Sequence, residues 1–213
     1  MRKHLKHLIT LMAAGGLLAG ATTASASTVA VSPGGAVTGT AGTSQFVFNT
    51  AMRTIVCTGT SYAATYSSGT FTGVTLPFTF ATNVELRFTG CRINVGPNVT
   101  GTCTRTARLS LVGTTTGTDG VTPLVLSAIS CVFNVTGATC SVTIGGSVPG
   151  QHNNRNATVT VAVPGQILTA TRSTNGSGGT CAFLPNDTSV TFSTTVASTV
   201  IYAELPTQSI TVT

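Results

Sequence analysis

The chain has 213 residues, of which 41% are apolar and only 7% charged. Both lysines lie within the first 26 residues; beyond them seven arginines face four carboxylates, a net +3 against the +6 of the whole chain. Low charge with ample Val, Ile, Leu and Phe excludes a disordered chain, and arginines spaced singly along the sequence give no basic run of the kind that reads as a nucleic-acid stripe.

In chain order, Arg2, Lys3, His4, Lys6 and His7 precede an apolar run from Leu8 to Ala21, and then Ala24-Ser25-Ala26. A basic start, a short apolar middle and small residues two apart predict an export signal over 1–26, cleaved between Ala26 and Ser27. The run is broken by Gly15 and Gly16 and is short of the ~18 residues of a membrane span. No cysteine stands at the cleavage point to take a lipid. Residues 27–213 then make a single secreted domain, long enough to bury a core, with 27–44 expected as a flexible N-terminal segment.

The rest of the chain is rich in Thr and Val, which favour extended backbone. Period-two alternation recurs. In Val84-Glu85-Leu86-Arg87-Phe88 the apolar side chains share one face and the charged pair the other. Arg108-Leu109-Ser110-Leu111, Ala157 to Val163 and Val190 to Val196 repeat the pattern. Turn residues punctuate it at Pro33-Gly34-Gly35, Ser67-Ser68-Gly69, Gly96-Pro97-Asn98, Thr114 to Gly120, Gly145 through Asn156, Asn175 to Gly179 and Leu184-Pro185-Asn186-Asp187. Strands are predicted over 45–57, 60–66, 70–77, 82–90, 102–112, 122–134, 138–147, 157–171, 188–203 and 208–213. About ten short strands without βαβ alternation predict an all-β protein, an antiparallel β-sandwich or partly closed barrel.

Six cysteines, Cys57, Cys91, Cys103, Cys131, Cys140 and Cys181, all follow the export signal. An even count in an oxidising destination reads as three disulfides. Metal binding would need close pairs and histidine partners, and there is no C-x-x-C. A hairpin about Thr116-Gly117-Thr118, with opposite positions summing to about 235 in the register of Val112 and Pro123, brings Cys103 beside Cys131. Cys57–Cys91 and Cys140–Cys181 are then left to pair.

Chemistry is sparse. The one histidine beyond the leader, His152, sits in Gly150-Gln151-His152-Asn153-Asn154-Arg155 and reads as a solvated loop residue. A small hydrolase using His152 with Asp187 or Asp119 is the enzymatic alternative, but no G-x-S-x-G, S-x-x-K or H-E-x-x-H presents a nucleophile or a metal. Nothing local brings two of the four acids together as a glycosidase pair, and none cluster as a calcium loop needs. Glu85 reads as the surface partner of Arg87. Leu205-Pro206-Thr207-Gln208-Ser209 lacks the end of a sortase signal. The N-x-S/T triplets at Asn98, Asn134, Asn156, Asn175 and Asn186 are expected by chance in so Thr-rich a chain. No catalytic, cofactor-binding or metal-ligating residue is assigned, and no cofactor is implied. An outer-membrane barrel is disfavoured by the cysteines and the scarcity of aromatic residues.

Val56-Cys57-Thr58-Gly59-Thr60, Leu86 to Cys91, Gly101-Thr102-Cys103-Thr104 and Ala138 to Val142, with Cys181 and the Thr-rich strand from Val190, resemble a loose class of secreted β proteins common in high-GC Gram-positive bacteria. The class carries no activity to transfer. The resulting expectation is an extracellular or cell-surface protein with a structural or binding role. Its partner would be a wall glycan, another surface protein or a second copy of itself, with neither nucleic acid nor membrane insertion. A ligand-holding β-barrel, recognisable by an enclosed apolar cavity, is the remaining alternative.

Overall fold

The structure is a computed structural model, and it describes residues 26–94, 96–161, 166–174, 184, 186–194 and 200–213. These form seventeen strands and no helix. The all-β antiparallel class read from alternation is what the structure shows. The strands are more numerous than ten because long extended runs are broken midway.

Fourteen of the strands combine into eight staves. β1 (Ser27–Ser32) stands apart. β2 (Gly35–Ala41) and β3 (Ser44–Phe48) form the first stave, and β4 (Arg53–Cys57) and β5 (Gly59–Tyr66) the second. β6 (Gly69–Val74) again stands apart. β7 (Phe78–Thr89) and β8 (Cys91–Ile93) form the third stave, and β9 (Asn98–Cys103) and β10 (Ala107–Leu111) the fourth. β11 (Val121–Val135) and β12 (Cys140–Asn153) are unbroken fifth and sixth staves. β13 (Thr158–Val161) and β14 (Ile167–Thr174) make the seventh, and β15 (Asp187–Ser193) and β16 (Val200–Leu205) the eighth; β17 (Ser209–Val212) ends the series.

The registers show why each pair of strands is one stave. Gly35 lies opposite Tyr66 and Ser44 opposite Cys57, a single register along one long hairpin. Each stave pairs antiparallel with the next, and the eighth returns to the first through Val190 opposite Phe48 and Ala203 opposite Thr40. The result is a closed up-and-down barrel of eight staves, which removes the exposed sheet edges that an open sheet would leave. Breaks cluster at the waist. Gly90 there has φ 58°, and Ala128 φ 54° where the pairing of β11 with β12 shifts register.

The segment expected to be flexible, 27–44, is instead β1 and β2. β1 is the middle strand of a three-stranded sheet, between β17 and β6, that covers one end of the barrel. Its apolar side presses Val29, Val31, Ile210 and Val212 inward, all at most 2% exposed. Polar anchors hold this cover in place. Asn154 exchanges two hydrogen bonds with Ile210, Thr122 donates to the Ile210 carbonyl, and Val212 donates to Thr115.

Eight strands leave an interior just wide enough for side chains to fill. In the half away from the cover, Phe46, Phe88, Phe133 and Phe192 pack ring to ring with centroids 4.8–6.0 Å apart. The enclosed apolar voids are about 10 Å³ each. That is about the space of one water-sized probe, so the enclosed ligand cavity of a lipocalin-like barrel is not found among the described residues.

Two of the expected disulfides are present, Cys57–Cys91 and Cys103–Cys131, each joining residues directly opposite on adjacent staves. The predicted hairpin register holds along β10 and β11, with Arg108 opposite Ser127 and Leu111 opposite Leu124. The turn at 104–106 shifts it by one residue, which brings Cys103 directly opposite Cys131 instead of beside it. Cys140 is also disulfide-bonded; Cys181, its expected partner, lies outside the described residues.

Candidate functional site

The ionisable groups of the barrel interior converge at one place, beneath the cover. Tyr66 is the last residue of β5, and His152 and Glu204 are each next to last in β12 and β16. Alternation turns all three inward, together with Tyr62 two pleat repeats before Tyr66. His152 is 0% and Glu204 3% exposed.

Glu204 is the hub. Its Oε1 accepts hydrogen bonds from the hydroxyls of Tyr62 and Tyr66, which also lie 2.8 Å from each other. Its Oε2 lies 2.9 Å from His152 Nε2. The carboxylate thus meets three donors from two other staves. Burial works against its charge, but the hydrogen bond and the charge of His152 and the two tyrosine hydroxyls outweigh it and hold Glu204 below the ordinary carboxylate value. Burial first, and the adjacent carboxylate second, push Tyr62 far above the usual phenol range. Tyr66 is raised well above it by burial, then by Tyr62 and Glu204. Tyr202, beside them and hydrogen-bonded to Thr60, is pushed up to about 12 by burial.

His152 Nδ1 is buried and has no hydrogen-bond partner.

The reading of His152 as a solvated loop residue is overturned. Gly145-Gly146, Pro149-Gly150 and Asn153-Asn154 look like turn signals, yet β12 runs through the first two pairs. Pro149, which has no N–H to donate, falls where β12 changes partner from β14 to β13. Gly146 is needed where the backbones crowd, since a Cβ there would sit 1.9 Å from the Ile167 carbonyl oxygen.

The acids proposed as partners of His152 are not beside it. Asp119 pairs with Arg155 at 2.8 Å on the surface. Asp187 accepts from the backbone N–H groups of Thr50, Ala51 and Ser189 and from the Thr50 hydroxyl, closing the loop after β3. Burial raises its pKa, and those hydrogen bonds more than offset it, so the carboxyl is held below its ordinary value. Glu85 is where alternation placed it, outside, shared by Arg87 at 2.8 Å and Arg105 at 2.5 Å. No cluster of metal-ligating side chains occurs among the described residues.

Sequence reasoning missed Glu204, Tyr62 and Tyr66. A signal was present: Val200, Tyr202 and Glu204 share one parity. It was hidden because Ile201, Ala203 and Leu205 make the other parity equally apolar, and Ile201 and Leu205 are in fact the exposed ones.

Comparison with protein-family models, curated proteins and solved structures finds no match. The site must therefore be judged on its geometry. A general base needs a reachable substrate, and here the imidazole and the carboxylate are enclosed and paired with each other. What the arrangement does is tie the second, sixth and eighth staves together under the cover.

Open concavities lie on the outside. One, of about 570 Å³, runs over the outer faces of β2, β5 and β7, floored by Ala36, Thr38, Ala63 and Thr65 and bordered by Asn83, Glu85 and Arg105.

Proposed function

We propose that the protein is exported, loses residues 1–26, and acts at the cell exterior as a structural or binding protein, not as an enzyme. The observation that supports this reading most is the sealing of His152 and Glu204. Among the described residues the interior acid–base constellation is spent on holding the barrel, while an open concavity lies on the outer wall over β2, β5 and β7. The disulfides fit an oxidising destination, in keeping with the resemblance to secreted β proteins of high-GC Gram-positive bacteria. A membrane barrel would turn its apolar residues outward, whereas here they turn inward and the outer positions are largely Thr, Ser, Asn and Arg.

The test is to express the full chain in a Gram-positive host and fractionate the culture. The expected product starts at Ser27, is found in the medium or on the wall, and sediments with isolated cell walls. Retention of Met1 in the cytoplasm would overturn the export reading. An exported protein that neither binds walls nor self-associates would overturn the binding and structural role.

A further inference from the structure

Arginines that are far apart in the sequence are gathered by the topology. The third and fourth staves are neighbours, and they carry Arg87 and Arg92, and Arg105 and Arg108, respectively. The flanking residues Cys91 and Ile93, and Ala107 and Leu109, are buried, so Arg92 and Arg108 point out of the barrel. Register places Arg92 opposite Asn98 near one end. Arg108 lies near the other, between the pairs Ala107–Val84 and Leu109–Ala81. Arg87 and Arg105 lie between them, clamped on the two oxygens of Glu85. At roughly 3.3 Å per residue the track is about 30 Å long.

The charge on this face is one-sided. Of the four acids beyond the leader, Glu204 and Asp187 are buried and Asp119 is engaged by Arg155. Glu85 alone of these acids opposes the four guanidiniums, and among the described residues Arg92 and Arg108 make no ion pair. Because Glu85 fixes two guanidiniums while leaving them 63% and 68% exposed, their remaining donors are held toward solvent. Between the arginines stand hydroxyls and amides, namely Asn83, Thr89, Asn98, Thr100, Thr102 and Thr104, and no aromatic ring.

The geometry points to this face as a binding track for an extended anionic glycan, a sugar or polyol chain bearing carboxylate or phosphate groups. Guanidinium forks match either anion, and the intervening hydroxyls and amides match sugar hydroxyls. A single-stranded nucleic acid would want aromatic platforms for its bases, which the face lacks. The inference rests on the exterior binding role proposed above and names its partner class.

The mature protein with disulfides intact is titrated with polygalacturonate, phosphorylated dextran, neutral dextran and a single-stranded oligonucleotide. Binding to one or both anionic glycans is expected, weakening with salt, with none to neutral dextran. Arg92→Ala and Arg108→Ala, which break no ion pair, should each weaken binding roughly 2- to 5-fold, the scale of an exposed charge contact. Arg155→Ala, whose partner is Asp119, should leave it unchanged. Equal loss in Arg155→Ala, no loss in the track variants, tighter binding of the oligonucleotide, or no binding of either anionic glycan would each overturn the track. Export and wall sedimentation of the Arg92→Ala, Arg108→Ala double variant are read separately. A double variant that still sediments with walls like wild type leaves the exterior role standing and removes the track.

Discussion

Replacing Glu204 by Gln is the sharpest probe of the interior. The side chain keeps its volume, and one carboxylate oxygen becomes an amide nitrogen. With the amide oxygen toward Tyr62 and Tyr66, the NH2 group meets His152 Nε2–H, donor against donor. Moving that proton to Nδ1 relieves the clash but places an N–H where no acceptor stands. With the amide turned over, the tyrosines lose their common acceptor. Either way charge-assisted bonds, worth about 1.5–3 kcal/mol each, become weaker ones. The relief of no longer burying a charge offsets part of the loss. A net cost of about 2–4 kcal/mol follows, or roughly 4–16 °C in Tm for a domain of this size.

The assay is urea unfolding at pH 7 and at steps down to pH 3, disulfides intact. Glu204 is held below its ordinary value of 4.5 in the folded state. Its contribution is therefore complete above that value and is lost as pH falls through the depressed folded one. Asp187 adds an acid loss of the same sign. The gap between wild type and Glu204→Gln should narrow with acidification, while Asp187→Asn should leave the Glu204 part of the acid loss in place. A Glu204→Gln protein within about 0.5 kcal/mol of wild type at pH 7, the range of an ordinary surface change, would refute the hub role.

At the alkaline end, all three tyrosines of the chain are buried with raised pKa values. Protons are held in the folded state and released by the unfolded one above about pH 10, so stability should fall as pH rises past that point. Absorbance at 295 nm should show no phenolate in native protein until it unfolds. Gly39 faces the Tyr62 ring so closely that a Cβ would lie 2.1 Å from Cε1. Gly39→Ala should cost about 1–3 kcal/mol as an overpacked site, and much of that cost should vanish in a Tyr62→Ala background when unfolding energies are compared in a double-mutant cycle. Converting both Cys57 and Cys91 to Ala should lower stability by about 2–4 kcal/mol in the same urea assay, because the link closes a loop of 34 residues.

How much of this was legible depended on whether the signal was local. Alternation in Val84 to Phe88 correctly set Glu85 and Arg87 outside, and the Thr116-Gly117-Thr118 turn fixed a register from which Cys103 and Cys131 could be paired. Both are short-range facts of period two and turn position. Barrel closure was not legible, because the eighth stave meets the first across about 140 residues of chain, as in Val190 opposite Phe48. The order of β1 was hidden for the same reason: its partners are β6 and β17, far away in sequence. His152 was misread because glycine and proline usually end strands, whereas here they mark where backbones crowd and a partner strand changes.

The same long-range assembly decides the electrostatics. Counted along the sequence, seven arginines and four acids make a weakly charged chain. Folding withdraws Glu204 into the barrel and Asp187 under its loop. With Arg172 half-buried on the parity of Leu168 and Ala170, the outer wall is left with six exposed arginines against Glu85 and Asp119, a net +4 instead of +3. Pairing the third stave with the fourth concentrates four of those six on one face. A buried carboxylate here has two consequences: it holds three staves together by accepting their donors, and it leaves positive charge outside unopposed. Removing Glu204's charge should therefore destabilise the barrel without changing affinity at the arginine track, and a track variant should do the reverse. Observing both effects in one variant would mean that the interior hub and the outer face are not independent parts of the molecule.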